Sequence, residues 1–190
     1  MPMKDDYAIV LDFLAHGKAM DRRAEPLAQA IGEKFFNLLE LVIKEGLAIN
    51  VGDKLYIGDD KREQVEYIRG RIDYPDLTNY AKGELERIIT EIVDKDEKRF
   101  VDFFNVAGPI TTRLHSLELL PSIGKKHMWQ IIAERKKKHF ETFAEVQQRV
   151  EMLPDPKRII IKRIVDELEG KDRHRLFVAG GFTSGSGVVR

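Results

Sequence analysis

The chain has 190 residues, enough for one domain or two small ones, and enough to bury a core without covalent staples. It is 43% hydrophobic and 34% charged, and its 32 basic and 32 acidic residues give a formal net charge of zero. No cysteine is present, which excludes disulfides, zinc fingers, iron–sulfur clusters and thiol nucleophiles. The N-terminus shows no basic-then-apolar leader pattern, and no apolar run approaches the ~18 residues that span a bilayer, so a cytoplasmic protein without membrane contact is expected.

The first 75 residues read as β structure. Tyr7–Leu14 is a compact apolar run closed by His16-Gly17, followed by extended stretches at Leu27–Ile31 and Phe35–Ile43 with Gly32 between them. Val51–Gly58 reads as a β-turn-β in which Gly52-Asp53 turns the chain, and Gln64–Ile72 is a further strand with Val65, Tyr67 and Arg69 on one face. Five short strands punctuated by glycine point to a small closed barrel, with an OB-like fold the first choice. Tyr56, Tyr67 and Arg69 are its candidate binding face.

At Tyr74-Pro75-Asp76 the hydrophobic period changes from two to 3.6, which marks a domain boundary. Leu85, Ile88, Ile89, Ile92 and Val93 form one helical stripe, and Phe100, Val101, Phe103 and Phe104 another that Gly108-Pro109 stops. Thr111 or Thr112 is placed to cap a helix through Leu114 and Leu117, and a further helix carries Met128, Trp129, Ile131 and Ile132, with Trp129 read as core. Thr142 and Glu145 form a capping box, Asp155-Pro156 opens another helix, and Gly170 ends it. Leu176–Val178 reads as a last strand returning to the barrel, and Gly180–Gly187 as a flexible tail. The expected organisation is an α+β protein: a barrel over 1–75, a helical domain over 76–170, and a final strand and tail over 171–190.

Charge is unevenly spread. Residues 111–140 hold seven Lys or Arg against two acids, a net +5 that the other 160 residues offset with −5. At the centre of this island lies the turn Leu120-Pro-Ser-Ile-Gly124. A helix starting at such a turn presents unpaired backbone N–H groups and the positive end of its dipole, a ready site for an anion. Glycine at 124 permits close backbone approach. Lys125 and Lys126 in the first turn oppose the dipole, a cost that an anionic ligand offsets.

Leu117–Ile132 resembles the helix-hairpin-helix motif of DNA- and RNA-binding proteins, here spanning residues 114–137. The resemblance implies that the hairpin holds backbone phosphate without reading sequence, through the amides of Ile123, Gly124, Lys125 and Lys126. Ser122 departs from the motif's usual glycine, where a left-handed backbone costs a non-glycine residue about 1–2 kcal/mol, and Met128 stands where a small residue is usual. Ala28–Glu33 and Val106–Leu120, together with the hairpin, resemble a family of uncharacterised archaeal proteins described as predicted RNA-binding proteins. That likeness implies a role near ribosomal RNA or translation. The order of barrel and hairpin also resembles the Holliday-junction-binding subunit of branch-migration complexes, which has two hairpins where one is visible here.

The candidate nucleic-acid contacts are Ser122, Ile123, Gly124, Lys125, Lys126, Arg113, Arg135, Lys136, Lys137 and Lys138. Glu134-Arg135-Lys136 resembles the first half of a nuclease motif, but Phe140 stands where the next acid is needed. No Walker loop, nucleophile elbow, dinucleotide glycine pattern or metal-ligand spacing is present. The expectation is non-catalytic binding of structured RNA without a cofactor, RNA favoured over DNA. Alternatives are a DNA junction or repair accessory factor, and a scaffold in which the hairpin docks a protein partner, for instance within a ribonucleoprotein. An enzyme assembled from scattered carboxylates is a fourth reading. Oligomeric state is not legible.

Overall fold

The computed structural model describes residues 3–180. The chain divides into two compact units, Met1–Ile88 and Ile89–Arg190, and the division falls inside a helix.

The first unit is built on five antiparallel strands: β1 (Tyr7–Leu14), β2 (Leu27–Gly32), β3 (Leu38–Ile43), β4 (Lys54–Tyr56) and β5 (Val65–Arg71). Their order is β4-β1-β2-β3-β5. No ladder joins β4 to β5 among the described residues, so the sheet is an open, curled half-barrel instead of the closed barrel expected. Register irregularities at Val10/Asp12 in β1, and two more where β3 meets β5, supply the curl. Ala8, Val10, Ala28, Ala30, Leu39, Leu41 and Leu55 line the concave core with Ile43 and Val65. β2 and β3 are buried at every position, so their second face is covered too. On that face Gln29 pairs with Glu40, donating to its carboxylate (3.2 Å) and to the Asp76 carbonyl (3.0 Å), while its own oxygen accepts the Thr78 amide.

Two strand boundaries differ from the sequence reading. β3 begins at Leu38 because the Asp5 carboxylate captures the amides of Lys34 (2.8 Å) and Phe35 (2.7 Å) and the Asn37 side chain (2.7 Å). That capture holds the preceding residues in a turn, with Phe36 at φ 55°. Gly32 is obligatory here, since a Cβ would stand 2.0 Å from the Asp5 carboxylate. The chain turns at Gly52 (φ 91°) as expected and leads into β4, but Val51 belongs to that turn and no strand precedes it there.

Helix α1 (Asn79–Lys95) follows a 3-10 turn at Tyr74–Asp76, and its stripe Leu85, Ile88, Ile89, Ile92 and Val93 is buried throughout. The second unit contains α2 (Glu97–Val106), α3 (Lys125–Lys137), α4 (Phe143–Arg149) and α5 (Pro156–Leu168). Local chemistry sets several of their ends. The Thr142 hydroxyl accepts the Glu145 amide (3.1 Å), and the Asp155 carboxylate accepts the Lys157 amide (2.9 Å) next to Pro156 at the first helical position. Gly170, at φ 73°, ends α5. Phe100, Phe103 and Phe104 of α2 form the core with Phe140 and Phe177, all fully buried.

Leu176–Val178 is not a strand. The amides of Leu176, Phe177 and Val178 all donate to the Glu167 carboxylate of α5 (2.7, 3.0 and 2.9 Å), and the Phe177 ring packs 5.1 Å from Phe103. Backbone donors consumed by a carboxylate are unavailable to a sheet ladder. The tail beyond Gly180 lies outside the described residues. No described helix is long and apolar enough to cross a membrane.

Candidate nucleic-acid interface

The turn before α3 is held from both sides. Upstream, the Gly108 carbonyl accepts both the Ser116 amide (3.0 Å) and the Ser116 hydroxyl (2.7 Å), and Pro109 bridges His115. These bonds close a bent loop between Pro109 and His115, inside which the Ile110 and Thr111 amides donate to the Leu114 carbonyl (2.8 and 3.1 Å). The first helix of the expected hairpin is therefore a single 3-10 turn, Ser116–Leu119, and neither Thr111 nor Thr112 caps a helix. His115 caps that turn instead: its Nδ1 accepts the Leu117 amide (3.1 Å), and the His115 amide donates in turn to the Glu118 carboxylate (3.0 Å). Burial, reinforced by the nearby Arg135 charge, pushes the His115 pKa below its usual value.

The neutral imidazole is the capping form, because protonation at Nδ1 would remove the acceptor. A histidine held neutral by the fold stabilises it above pH ~6.5, and that stability is lost as pH falls through the lower folded-state pKa. The protection of the Ser116–Leu119 amides, as exchange corrected for its intrinsic pH dependence, is expected to fall between neutral and mildly acidic pH in the wild type. In His115→Asn, which caps without titrating, this pH dependence should flatten; equal pH dependence in the two proteins would refute the role.

The turn itself has the conformation that the serine makes costly. Ser122 sits at φ 63°, in the left-handed region. The Ile123 amide donates back to the Leu120 carbonyl (3.2 Å), and its side chain is buried. Ile123 thus anchors the turn and drops out of the expected phosphate donors. Gly124 is extended (φ −96°, ψ −171°) and its carbonyl accepts the first helical bond, from the Met128 amide (3.0 Å). Among the described residues no acceptor takes the amides of Gly124, Lys125, Lys126 or His127. Gly124, Lys125 and Lys126 are exposed. The N-terminus of a 13-residue helix therefore presents consecutive free donors.

The basic island separates into free and committed charges. Lys126, Lys136 and Arg113 are exposed and make no ion pair among the described residues. Lys125 pairs with Glu118 (2.9 Å) while remaining exposed. Lys137 pairs with Glu134, and Lys138 lies 3.7 Å from both Glu141 and Glu145. Arg135 is structural: its Nη1 donates to the carbonyls of Phe104 (3.1 Å) and Ala107 (2.7 Å) at the C-terminus of α2, and burial lowers its pKa. It is removed from the expected contacts. Pairing with Lys137 and Arg149 holds Glu134 below the usual carboxylate range, and the His115 amide with Lys125 does the same for Glu118.

Trp129 was expected in the core and is 62% exposed. The helical spacing carried this signal: Met128 and Ile131 supply the buried face, and Trp129 points away from both.

In the first unit, Tyr56 and Tyr67 lie on the two edge strands, β4 and β5. The Tyr56 hydroxyl bonds the Asp60 amide and carboxylate, Tyr67 donates to Glu25 (2.8 Å), and Arg69 makes a bidentate bond to Asp21 (2.7 and 2.8 Å). That pairing holds the Asp21 pKa down to about 2. Val65 belongs to the concave core while Tyr67 pairs across from Val42, because the bulge at Val42/Ile43 separates their faces. The three residues expected to share a face are thus distributed over two edges, each tied to a local acid or amide.

A family model described as "Protein of unknown function (DUF655)" matches residues 4–179. The chain belongs to the DUF655 family. An uncharacterized protein of Methanocaldococcus jannaschii, MJ0038, is 47% identical over 176 residues, covering 92% of this chain and 80% of the relative. The crystal structure of a second DUF655 member, Af1531 from Archaeoglobus fulgidus, superposes with a TM-score of 0.83 at 47% identity, covering 92% of this chain and all of that one. The family relatives are archaeal, in keeping with the resemblance drawn from the sequence.

Proposed function

We propose that this DUF655 protein is a non-catalytic, cytoplasmic nucleic-acid-binding protein. It holds a backbone phosphate on the turn Ser122–Lys126, with RNA its favoured ligand. The observation that carries the reading is the run of unbonded amides at Gly124–His127 opening α3, beside the unpaired charge of Lys126. Residues 116–137 are read as a shortened helix-hairpin-helix, and the curled sheet of the first unit as an OB-like surface. The helix dipole, the free donors and the cation all favour the same ligand, an anion. Arg113 and Lys136 extend the charge beyond one phosphate. Ribosomal RNA or a translation-linked ribonucleoprotein is the setting this reading suggests. Phosphate capture does not choose between RNA and DNA; contact with the 2′-OH does.

The test is affinity for structured RNA, duplex RNA and branched DNA across a salt series, for wild type, Lys126→Glu and Lys125→Glu/Lys126→Glu. Affinity should fall with salt, with a log–log slope of about −0.9 per duplex phosphate neutralised or about −0.7 on single strands. Lys126→Glu should make that slope shallower by about one such step. Binding insensitive to both salt and charge reversal would sink the proposal and favour a protein-docking role for the hairpin. Preference for branched DNA over every RNA would favour the junction reading.

A further inference from the structure

The face of α3 that continues from the phosphate turn carries the chain's sole tryptophan, exposed. Large aromatic side chains bury most of their area in folded proteins, and an isolated indole left in water is costly unless something covers it. Trp129 makes no hydrogen bond and no aromatic or cation–ring contact with another described residue. At about 100° per residue, Lys125, Trp129 and Lys136 fall within about 40° of one another around the helix axis, and Lys126 lies one position to the side. The indole is therefore set in a row of cations running from the turn towards the far end of α3.

The acids near this row are already engaged. Glu118 is bound to Lys125 and to the His115 amide, and Glu134 to Lys137 and Arg149. The exposed face thus combines positive charge with one flat aromatic ring, and complements a ligand that is itself an alternation of phosphates and flat rings.

We infer that Trp129 is a stacking platform for an unpaired base of the strand whose phosphate sits on the turn. This rests on the phosphate reading above and sharpens it, because the ligand must then carry a single-stranded nucleotide next to the bound phosphate: a loop, a bulge or an unpaired end. A base within an uninterrupted duplex keeps its faces against its neighbours and offers none to the indole. Stacking is indifferent to base identity, since every base has a π-face, so this site supplies affinity for unpaired strands without sequence preference.

Because Trp129 is the only tryptophan, intrinsic fluorescence reports on this side chain alone. The probes are a short oligoadenylate and the same strand annealed to its complement, titrated into the full chain. Indole emission should be quenched by the single strand and little changed by the duplex. Trp129→Ala should weaken single-strand binding roughly 5- to 150-fold while leaving duplex binding within about two-fold, and Trp129→Tyr should restore most of the loss. The log–log salt slope of Trp129→Ala should match that of the wild type, because no cation is removed.

Quenching of equal depth by strand and duplex overturns the stacking inference. So does single-strand affinity unchanged in Trp129→Ala; either result leaves phosphate capture standing if binding still depends on salt and on Lys126. Absence of binding by both probes overturns the phosphate reading and the stacking inference together. An emission change that tracks protein concentration without nucleic acid assigns the indole to self-association and overturns the inference as well.

Discussion

Arg163→Met is expected to destabilise the second unit by about 3–5 kcal/mol, the cost of leaving a buried charge without its partner. The Arg163 and Glu167 side chains are 5% and 0% exposed and bonded at 2.9 Å. Around them every polar atom is used. Arg163 also donates to the Leu119 carbonyl (2.9 Å), the Asp172 carboxylate (3.0 Å) and the His174 carbonyl (2.6 Å). Glu167 takes the three amides of Leu176–Val178. One ion pair therefore fastens the segment after α5 and the 3-10 turn before the Leu120–Gly124 loop to the same helix.

Replacing both members of a buried pair with apolar residues is often harmless. Here Arg163→Met/Glu167→Met should not recover stability, because three buried amides would lose their acceptor. Urea unfolding followed by the helical circular dichroism signal gives the measurement. A loss below about 1 kcal/mol for the single variant, or recovery in the double, would refute the role. A weakening of RNA binding by Arg163→Met under folding conditions should accompany it, since Leu119 is tethered where the turn begins.

What the sequence made legible follows a physical division. Elements whose signals are local were placed correctly: the capping of α4 by Thr142, the Asp155-Pro156 start of α5, the Gly170 stop, and the buried stripe of α1. Elements decided by a distant partner were misread. Phe35-Phe36 has strand composition, but Asp5, thirty residues before Phe35, takes the Phe35 amide, and the Phe36 amide turns back to the Gly32 carbonyl. Leu176–Val178 has strand composition, but Glu167 takes its amides. The residues before Ser116 look helical until the Gly108 carbonyl is seen to hold that serine twice.

The candidate site divides in the same way. The turn, its left-handed serine and the start of α3 could be read from a few consecutive residues. Arg135 could not, because nothing in Arg135–Lys138 distinguishes the one cation that caps α2 from its three neighbours. Trp129 differs for another reason: its apolar character suggests core, whereas its angular position puts it beside Lys125 and away from the buried Met128 and Ile131.

Lys125→Pro is expected to weaken nucleic-acid binding roughly 10- to 150-fold beyond Lys125→Ala, the worth of one hydrogen bond from a neutral donor to a charged acceptor. Both variants remove the lysine charge and its pairing with Glu118. They differ in one atom group, the backbone N–H of the first residue in α3. Proline is favoured at that position, where its fixed φ suits the helix and its missing donor breaks no helical bond. The preceding residue, Gly124, already holds the extended conformation that proline demands of its neighbour. The helix should therefore survive, and unchanged circular dichroism would verify it.

The salt dependence separates the two contributions further. A neutral amide releases no counterion, so Lys125→Pro should lower affinity at every salt concentration while keeping the log–log slope of Lys125→Ala. If the two variants bind alike, the turn attracts nucleic acid through side-chain charge alone and the amides are not ligands. If Lys125→Pro alone loses affinity at constant slope, the backbone of Gly124–His127 is the phosphate site, and the lysines around it serve to bring the strand there.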